Sequence, residues 1–396
     1  MKVMVVHSRY RSAVPSGENR VVDQESAALA GLGHEVVLFE RRSDDIAGWP
    51  KARKATLPAT IVWNSAARAD LTAQLRAQRP DVVHVHNTFP MLSPAVLYAC
   101  RTARVPVVAT IHNYKLVCAS GDFFRAGAPC HDCAPGRPLP ALRHGCYRGS
   151  RVATAPVVTS SAVHRTAWRS LVAAYIFISQ SQRDLLHGYG FPADRAFVRH
   201  NMIPAREITS AAREDTVVYA GRLDAAKGIP LLMKAWERYE QTADRPGLRL
   251  VIAGSGPLDR EAAAWAAARS AVHVAGQLDP AACARAMAAA RAVIVPSAWE
   301  ETFGLAAVEA MALGVPPVAS GHGSFTELIA DGTDGVLFAP GDPAALAQVL
   351  ADIDAHPDRY AEYGEQARKT YEQRFDPDDA MRKLIEIYEY AIANPV

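Results

Sequence analysis

The stretch Ala292-Val293-Ile294-Val295-Pro296-Ser297-Ala298-Trp299-Glu300-Glu301-Thr302-Phe303-Gly304-Leu305, running on to Glu309-Ala310-Met311-Ala312, changes character twice. Its first four residues form an unbroken apolar run, the pattern of a strand buried on both faces of a parallel sheet. A polar loop follows, and Leu305–Ala312 then has the composition of a helix. A strand that hands over to a helix through a polar loop is the repeating unit of an α/β protein. Backbone N–H groups at Phe303, Gly304 and Leu305 would open that helix and face an anion with the helix dipole behind them. Glu309 would lie within two turns, near enough to reach a hydroxyl of the same ligand, and Glu301 could face a second polar group. The spacing alone suits equally a surface helix with a glutamate near its start.

Outward from this unit the same alternation recurs. The first half gives strands at Lys2–His7, Glu35–Glu40, Asp81–His86, Pro106–Ile111 and Ala174–Ser179, with helical spacing over Asn19–Leu32 and Leu71–Gln78. The second half gives strands at Thr216–Ala220, Leu248–Ala253, Ala271–Ala275, Ala292–Val295, Val315–Ala319 and Gly335–Phe338. Helical stretches lie between them at Pro230–Tyr239, Asp259–Ala268, Pro280–Ala289 and Leu305–Ala312. Two such runs predict two similar doubly wound α/β domains. The first is expected over residues 1–203 and the second over 204–376, with a polar seam from His200 to Asp215. Asp376-Pro377 breaks the chain before an amphipathic helix within 377–396. Proteins of this class bind ligands at the carboxyl ends of their strands, so a cleft between the lobes is the expected site.

A length of 396 residues fits two domains. With 49% apolar and 21% charged residues the chain is not disordered. A net charge of +2 is too balanced for a protein that grips nucleic acid. The opening run Met1–His7 is too short for a signal peptide, and no apolar run approaches the roughly 20 residues of a spanning helix. A cytoplasmic protein is the expectation.

Other strand ends repeat the theme. Gly221-Arg222-Leu223-Asp224-Ala225-Ala226-Lys227-Gly228 follows the second half's first strand, where Arg222 and Lys227 could neutralise a diphosphate. Ala253-Gly254-Ser255-Gly256-Pro257 offers a turn for close backbone approach. In the first half, Ser16-Gly17-Glu18 starts a helix, and His112 ends the fourth strand. His84 and His86 alternate along the third strand, and one of them is expected to be satisfied in the core.

Taken together, Gly221-Arg222-Leu223…Lys227-Gly228, Gly254-Ser255-Gly256-Pro257, Pro296-Ser297 and Glu301-x7-Glu309 within Glu-Thr-Phe-Gly-Leu resemble glycosyltransferase family 4. The resemblance runs through essentially the whole chain. It implies a GT-B fold, two Rossmann-like domains facing a central cleft, with the last helix crossing back onto the first domain. It also implies a retaining enzyme using a nucleoside-diphosphate sugar of UDP or GDP type and a hydroxyl-bearing acceptor. By that resemblance Arg222 and Lys227 hold the donor diphosphate, Glu301 contacts the donor sugar, and Glu309 contacts the ribose. Thr302, Phe303, Gly304 and Leu305 lie near sugar and phosphate, and Gly254, Gly256 and Leu278 also belong to the donor site. Gly17 approaches the diphosphate and His112 brackets the reacting sugar. Many members carry Gly-Gly where this chain has Ser16-Gly17.

Cationic side chains and a helix N-terminus can stabilise a departing diphosphate without a metal, and no Asp-x-Asp marks a strand end. No carboxylate stands out as a covalent nucleophile, so a same-face transfer in which the leaving phosphate takes the acceptor's proton is expected. Two rival readings are a nicotinamide-dependent oxidoreductase and a non-catalytic nucleotide-sugar-binding protein. The first lacks Gly-x-Gly-x-x-Gly after its first strand, which continues His7-Ser8-Arg9-Tyr10. Retention of both charged pairs argues against the second.

Four of the six cysteines, Cys118, Cys130, Cys133 and Cys146, lie in an insertion over about 116–150. Cys130-x2-Cys133 is a knuckle-like pair, and four thiols match the tetrahedral preference of a structural zinc ion. Unrelated reduced thiols in a loop are the alternative. From Ala134 to Arg183 there is no acidic residue but there are seven arginines. That stretch is either a basic surface for an anionic acceptor at the inner membrane face, or a set of cations paired elsewhere in the fold.

Overall fold

The computed structural model describes residues 1–12, 16–134, 136–205, 213–242 and 246–396. Much of the seam expected between the domains, residues 206–212, lies outside the described residues. The chain divides into two units: Met1–Arg125, Cys130–Met202 and Asp378–Val396 form one, Ala126–Pro129 and Ile203–Pro377 the other.

In the first unit the strands are β1 (Lys2–Arg9), β2 (Glu35–Arg42), β3 (Val82–Asn87) and β4 (Val107–Ile111). A short hairpin, β5 (Phe124–Arg125) and β6 (Ala128–Pro129), lies in the insertion, and β7 (Ala174–Phe177) and β8 (Ala196–Val198) follow. The parallel sheet has the order β2-β1-β3-β4-β7-β8, with Val3 of β1 opposite both Val36 and Val82. Every residue of β3 and β4 is buried, as central strands with both faces covered require.

The second unit holds β9 (Thr216–Ala220), β10 (Arg249–Ala253), β11 (Val272–Gly276), β12 (Ala292–Val295), β13 (Pro317–Ser320) and β14 (Val336–Phe338). Their order is β11-β10-β9-β12-β13-β14, all parallel. This is the order 3-2-1-4-5-6 of a dinucleotide-binding Rossmann sheet, and it reverses between β9 and β12. The first sheet reverses between β1 and β3. Both architectures are α/β, as the apolar runs predict.

The last helix, Pro377–Ala393, starts with proline at its first position, where the missing N–H costs nothing. Leu384, Ile387, Tyr388 and Ala391 repeat at helical spacing and are buried with Val3, Val5, Val82, Val108 and Ile176 of the first unit. Arg199, 2% exposed, fixes this arrangement. Its guanidinium donates to the Ala380 carbonyl at 2.7 Å and to the Glu25 carboxylate at 2.6 Å.

Several elements escape the sequence pattern. Strand β8 is three half-buried residues between Arg195 and Arg199, too short to show a period. Helices Ala95–Ala103, Arg151–Val163, Pro343–Ala355 and Pro357–Arg374 are likewise additional. The insertion has few regular elements: the hairpin and the short helix Leu139–His144. Among the described residues no helix is long and apolar enough to cross a membrane.

Candidate functional site

The reversal between β9 and β12 places two loops side by side at the carboxyl end of the second sheet. After β9 the chain runs Gly221–Gly228; after β12 it runs Pro296–Gly304. Gly228 makes their approach possible: it has φ +80°, and a Cβ there would stand 1.7 Å from the Pro296 carbonyl oxygen. Gly254, beyond β10, has the same role against the first loop, since its Cβ would lie 1.8 Å from the Gly221 oxygen.

These contacts bring Lys227 and Glu301 together, 74 residues apart. Lys227 Nζ donates to Glu301 Oε1 at 2.5 Å, and Ser297 Oγ donates to the same oxygen at 2.7 Å. Glu301 is 4% exposed. Burial alone would raise its carboxyl, but the Lys227 charge and the hydrogen bonds outweigh burial and hold it below the ordinary carboxylate value. The Lys227 ammonium also sits 5.0 Å from the centre of the Trp299 ring. Asp224 braces the loop from within, accepting from the Lys227 backbone N–H at 2.8 Å and pairing with the Arg222 guanidinium. On the other side His322 Nε2–H donates to the Ser297 carbonyl at 2.9 Å.

Arg222 therefore reaches solvent with its charge partly matched by Asp224, whereas Lys227 is held by a buried anion. Gly304 is the N-cap of helix Leu305–Ala312, with φ +84°, and as a glycine it has no side chain with which to cap the first turn. Glu309 is half-buried on that helix, while Thr302 and Phe303 are buried, Phe303 beside Phe375. Gly256 lies in the turn after β10, where its N–H bonds Asp259. The neighbouring Gln277-Leu278 pair follows β11, and Ser255 Oγ donates to Gln277 at 3.3 Å.

In the first unit, Gly17 is the first residue of helix Gly17–Gly31, and Ser16 caps it by accepting from Asn19 N–H at 3.2 Å. His112 belongs to a chain of buried histidines. His112 Nε2 and His86 Nδ1 are 2.9 Å apart, one donating to the other, and the rings of His86 and His84 stand 3.9 Å apart. His84 bonds Tyr388 and Thr110, both at 2.7 Å. The expectation that only one of the β3 histidines would be core-satisfied is corrected: β3 is covered on both faces, so both are buried. Burial, then the His7 and Arg199 charges, push His112 down to about 3, leaving a neutral imidazole that can exchange hydrogen bonds without carrying charge. Glu25, His84 and His86 bring ligand-type atoms within 4.8 Å of one another. Both His84 nitrogens and one Glu25 oxygen are already engaged by the protein, so this is a hydrogen-bonded network.

A pocket with about 670 Å³ of open space lies beside His112, bordered by His86, Asn87, Asn113, Lys115 and Trp168. Glu18 and Lys115 give this region its electrostatics. Asn113 Nδ2 donates to Glu18 at 3.2 Å, and burial pushes the Glu18 carboxyl up to about 8. Burial also brings the Lys115 ammonium down to about 8. Glu18 belongs to the helix start Ser16-Gly17-Glu18, whereas Asn87, Asn113 and Lys115 do not stand out in the sequence. The available signal is their place in the fold: Asn87 ends β3, Asn113 and Lys115 lie in the loop after β4, and Glu18 stands in the first turn of its helix.

Residues 15–207 match the family described as Glycosyltransferase Family 4, and residues 205–370 match Glycosyl transferases group 1. With two Rossmann-like units, the chain is a glycosyltransferase of the GT-B fold and belongs with the family 4 type. It is 28% identical to a glycogen synthase of Mycobacterium tuberculosis, over 98% of this chain and 94% of that protein. It is 26% identical to a phosphatidyl-myo-inositol mannosyltransferase of Mycobacterium leprae, over 96% and 94%. Among solved structures, sucrose-phosphate synthase from Thermosynechococcus elongatus superposes with TM-score 0.71 at 19% identity, over 99% of each chain. Anabaena HepE in complex with UDP-glucose gives 0.66 at 19%, over 98% of this chain and 99% of that one.

Proposed function

We propose that this glycosyltransferase moves a sugar from a UDP- or GDP-type donor to a hydroxyl-bearing acceptor with retention of configuration. The observation that carries this reading is the Lys227–Glu301 pair at the sheet reversal of the second unit. As the glycosidic bond to the diphosphate breaks, negative charge develops on the leaving oxygens and positive charge on the sugar. A preorganised ammonium and a helix N-terminus stabilise the first. The arginine and lysine supply this charge, so the reading needs no catalytic metal. Glu301 and Glu309 then serve the donor's sugar and ribose hydroxyls, with Arg222 on the diphosphate and Gly254, Gly256 and Leu278 along the nucleotide. His112, being neutral, orients a sugar hydroxyl rather than acting as a strong acid. The HepE complex with UDP-glucose supports a nucleotide-sugar donor.

Nucleoside diphosphates should raise the melting temperature, the preferred base most, since a ligand at about 100 times its Kd stabilises by roughly 2.7 kcal/mol. Donor hydrolysis should release nucleoside diphosphate in the presence of chelator, and NMR of the released sugar should show the donor's anomeric configuration. Inversion would overturn the mechanism, a magnesium requirement would overturn metal independence, and no response to any nucleotide would overturn the donor reading.

The acid-free stretch supports a further element of the proposal, contact with an anionic membrane surface. Arg137, Arg143, Arg148 and Arg151 are exposed there, together with Leu139 (72%) and Val152 (84%). Other arginines of the stretch are engaged by backbone carbonyls, such as Arg165 with Gly188 and Tyr189. Co-sedimentation with vesicles should rise with their anionic lipid content and fall for Arg143→Glu/Arg151→Glu. Indifference to lipid charge removes this element.

A further inference from the structure

The insertion that continues from the Lys115 side of the His112 pocket has little regular structure to hold it in place. One small apolar cluster lies under it, Ala119, Cys133 and Ala141 packed with Val157, and Val117 and Phe123 are buried beside it. Yet it positions Lys115 closely: the ammonium donates to the Ala119 and Ser120 carbonyls at 3.1 and 3.2 Å. It also lies 4.6 Å from the centre of the Phe89 ring and 5.2 Å from that of Tyr147. A loop of this length, with only a two-residue-strand hairpin and one short helix as regular structure, usually needs a covalent or metal staple.

The four cysteines that lie far apart along the insertion converge. Cys118, Cys130, Cys133 and Cys146 all border one small cavity, with Arg125 and His144 at its edge. All four are free thiols. Four separate backbone contacts deliver them. Cys118 N–H closes on Tyr114 at 2.8 Å, and Cys130 N–H on Phe123 at 2.6 Å. Cys146 N–H closes on Ala141 at 3.0 Å, and Cys133 follows Cys130 through a turn in which Ala134 N–H bonds the His131 carbonyl at 2.9 Å. No three of these four sulfurs lie within 4.8 Å of one another, the spacing that the Glu25–His84–His86 group meets. Side-chain rotation would be needed to bring them to about 2.3 Å from a shared ion.

We propose that Cys118, Cys130, Cys133 and Cys146 bind one zinc ion, which staples the insertion and so fixes Lys115 at the pocket wall with the Tyr147 ring beside its ammonium. Four oxygen-free soft ligands with a two-residue knuckle select zinc over magnesium or calcium. Four thiolates around Zn²⁺ leave a charge of −2, and Arg125 sits beside them, already paired with Asp132 at 3.2 Å. Binding releases the thiol protons to solvent and involves no redox change.

The test is metal analysis of the full chain purified without a polyhistidine tag. About one zinc per chain is expected, retained in Cys283→Ser, whose thiol lies elsewhere, and lost in Cys130→Ser/Cys133→Ser. Cobalt exchanged into the wild-type protein should show thiolate-to-cobalt charge transfer and tetrahedral d–d bands, a readout that does not depend on any variant folding. Zinc well below stoichiometry, cobalt spectra without thiolate bands, zinc retained in the double variant, or disulfides among these four cysteines would each overturn the proposal.

Discussion

Lys227→Ala should lower sugar transfer by roughly 10²–10³-fold, the usual cost of removing one preorganised charge-stabilising donor. The loss should fall mainly on kcat, because the charge that Lys227 meets is largest as the diphosphate departs. The same substitution leaves Glu301, 4% exposed, without its cation. The sign of the accompanying pH effect follows from the wild-type pair. The Glu301 carboxyl is held below its ordinary 4.5, so the pair contributes stability above that pH and loses it as pH falls through the lowered value. In Lys227→Ala this acid-side loss should shrink, and stability near neutrality should drop. Urea unfolding at several pH values, alongside single-turnover kinetics, checks both arms. Unchanged turnover would remove Lys227 from the chemistry whatever the stability result.

Arg199→Ala should cost about 3–5 kcal/mol of stability, the range for breaking a buried ion pair by removing one partner. Glu25 would be left buried with no cation, and the Ala380 carbonyl would lose its donor. Glu25→Leu/Arg199→Met removes both charges and should recover part of the loss, though not the hydrogen bond to the last helix. Denaturant midpoints at constant slope measure this; a single-variant cost below about 1 kcal/mol would mean that water compensates Glu25.

The architecture was legible because eleven of the twelve strands of the two sheets are short apolar runs at regular intervals, the pattern of strands buried in a parallel sheet. Glu301 and Lys227 were legible as residues but not as a pair, since nothing local links positions 74 apart. Their supports, Asp224, Ser297 and His322, read as ordinary loop polars until the glycines at 228 and 254 bring the loops together. Arg199 gave no sign at all: a lone cation near a domain end looks solvated, and only the fold buries it. The Lys115–Glu18 neighbourhood was hidden for the related reason that separate loops supply it.

The last helix carries a consequence for biosynthesis. A ribosome delivers residues 1–202 early, but the apolar faces of Val3, Val5, Val82 and Val108 wait for Leu384, Ile387 and Tyr388, made only after residues 203–377. The unit begun first is therefore completed last, after the whole of the other has emerged. A stop codon shortly before residue 378 would leave the second Rossmann unit intact and the first with an open flank, a product for chaperones and proteases rather than a half-active enzyme.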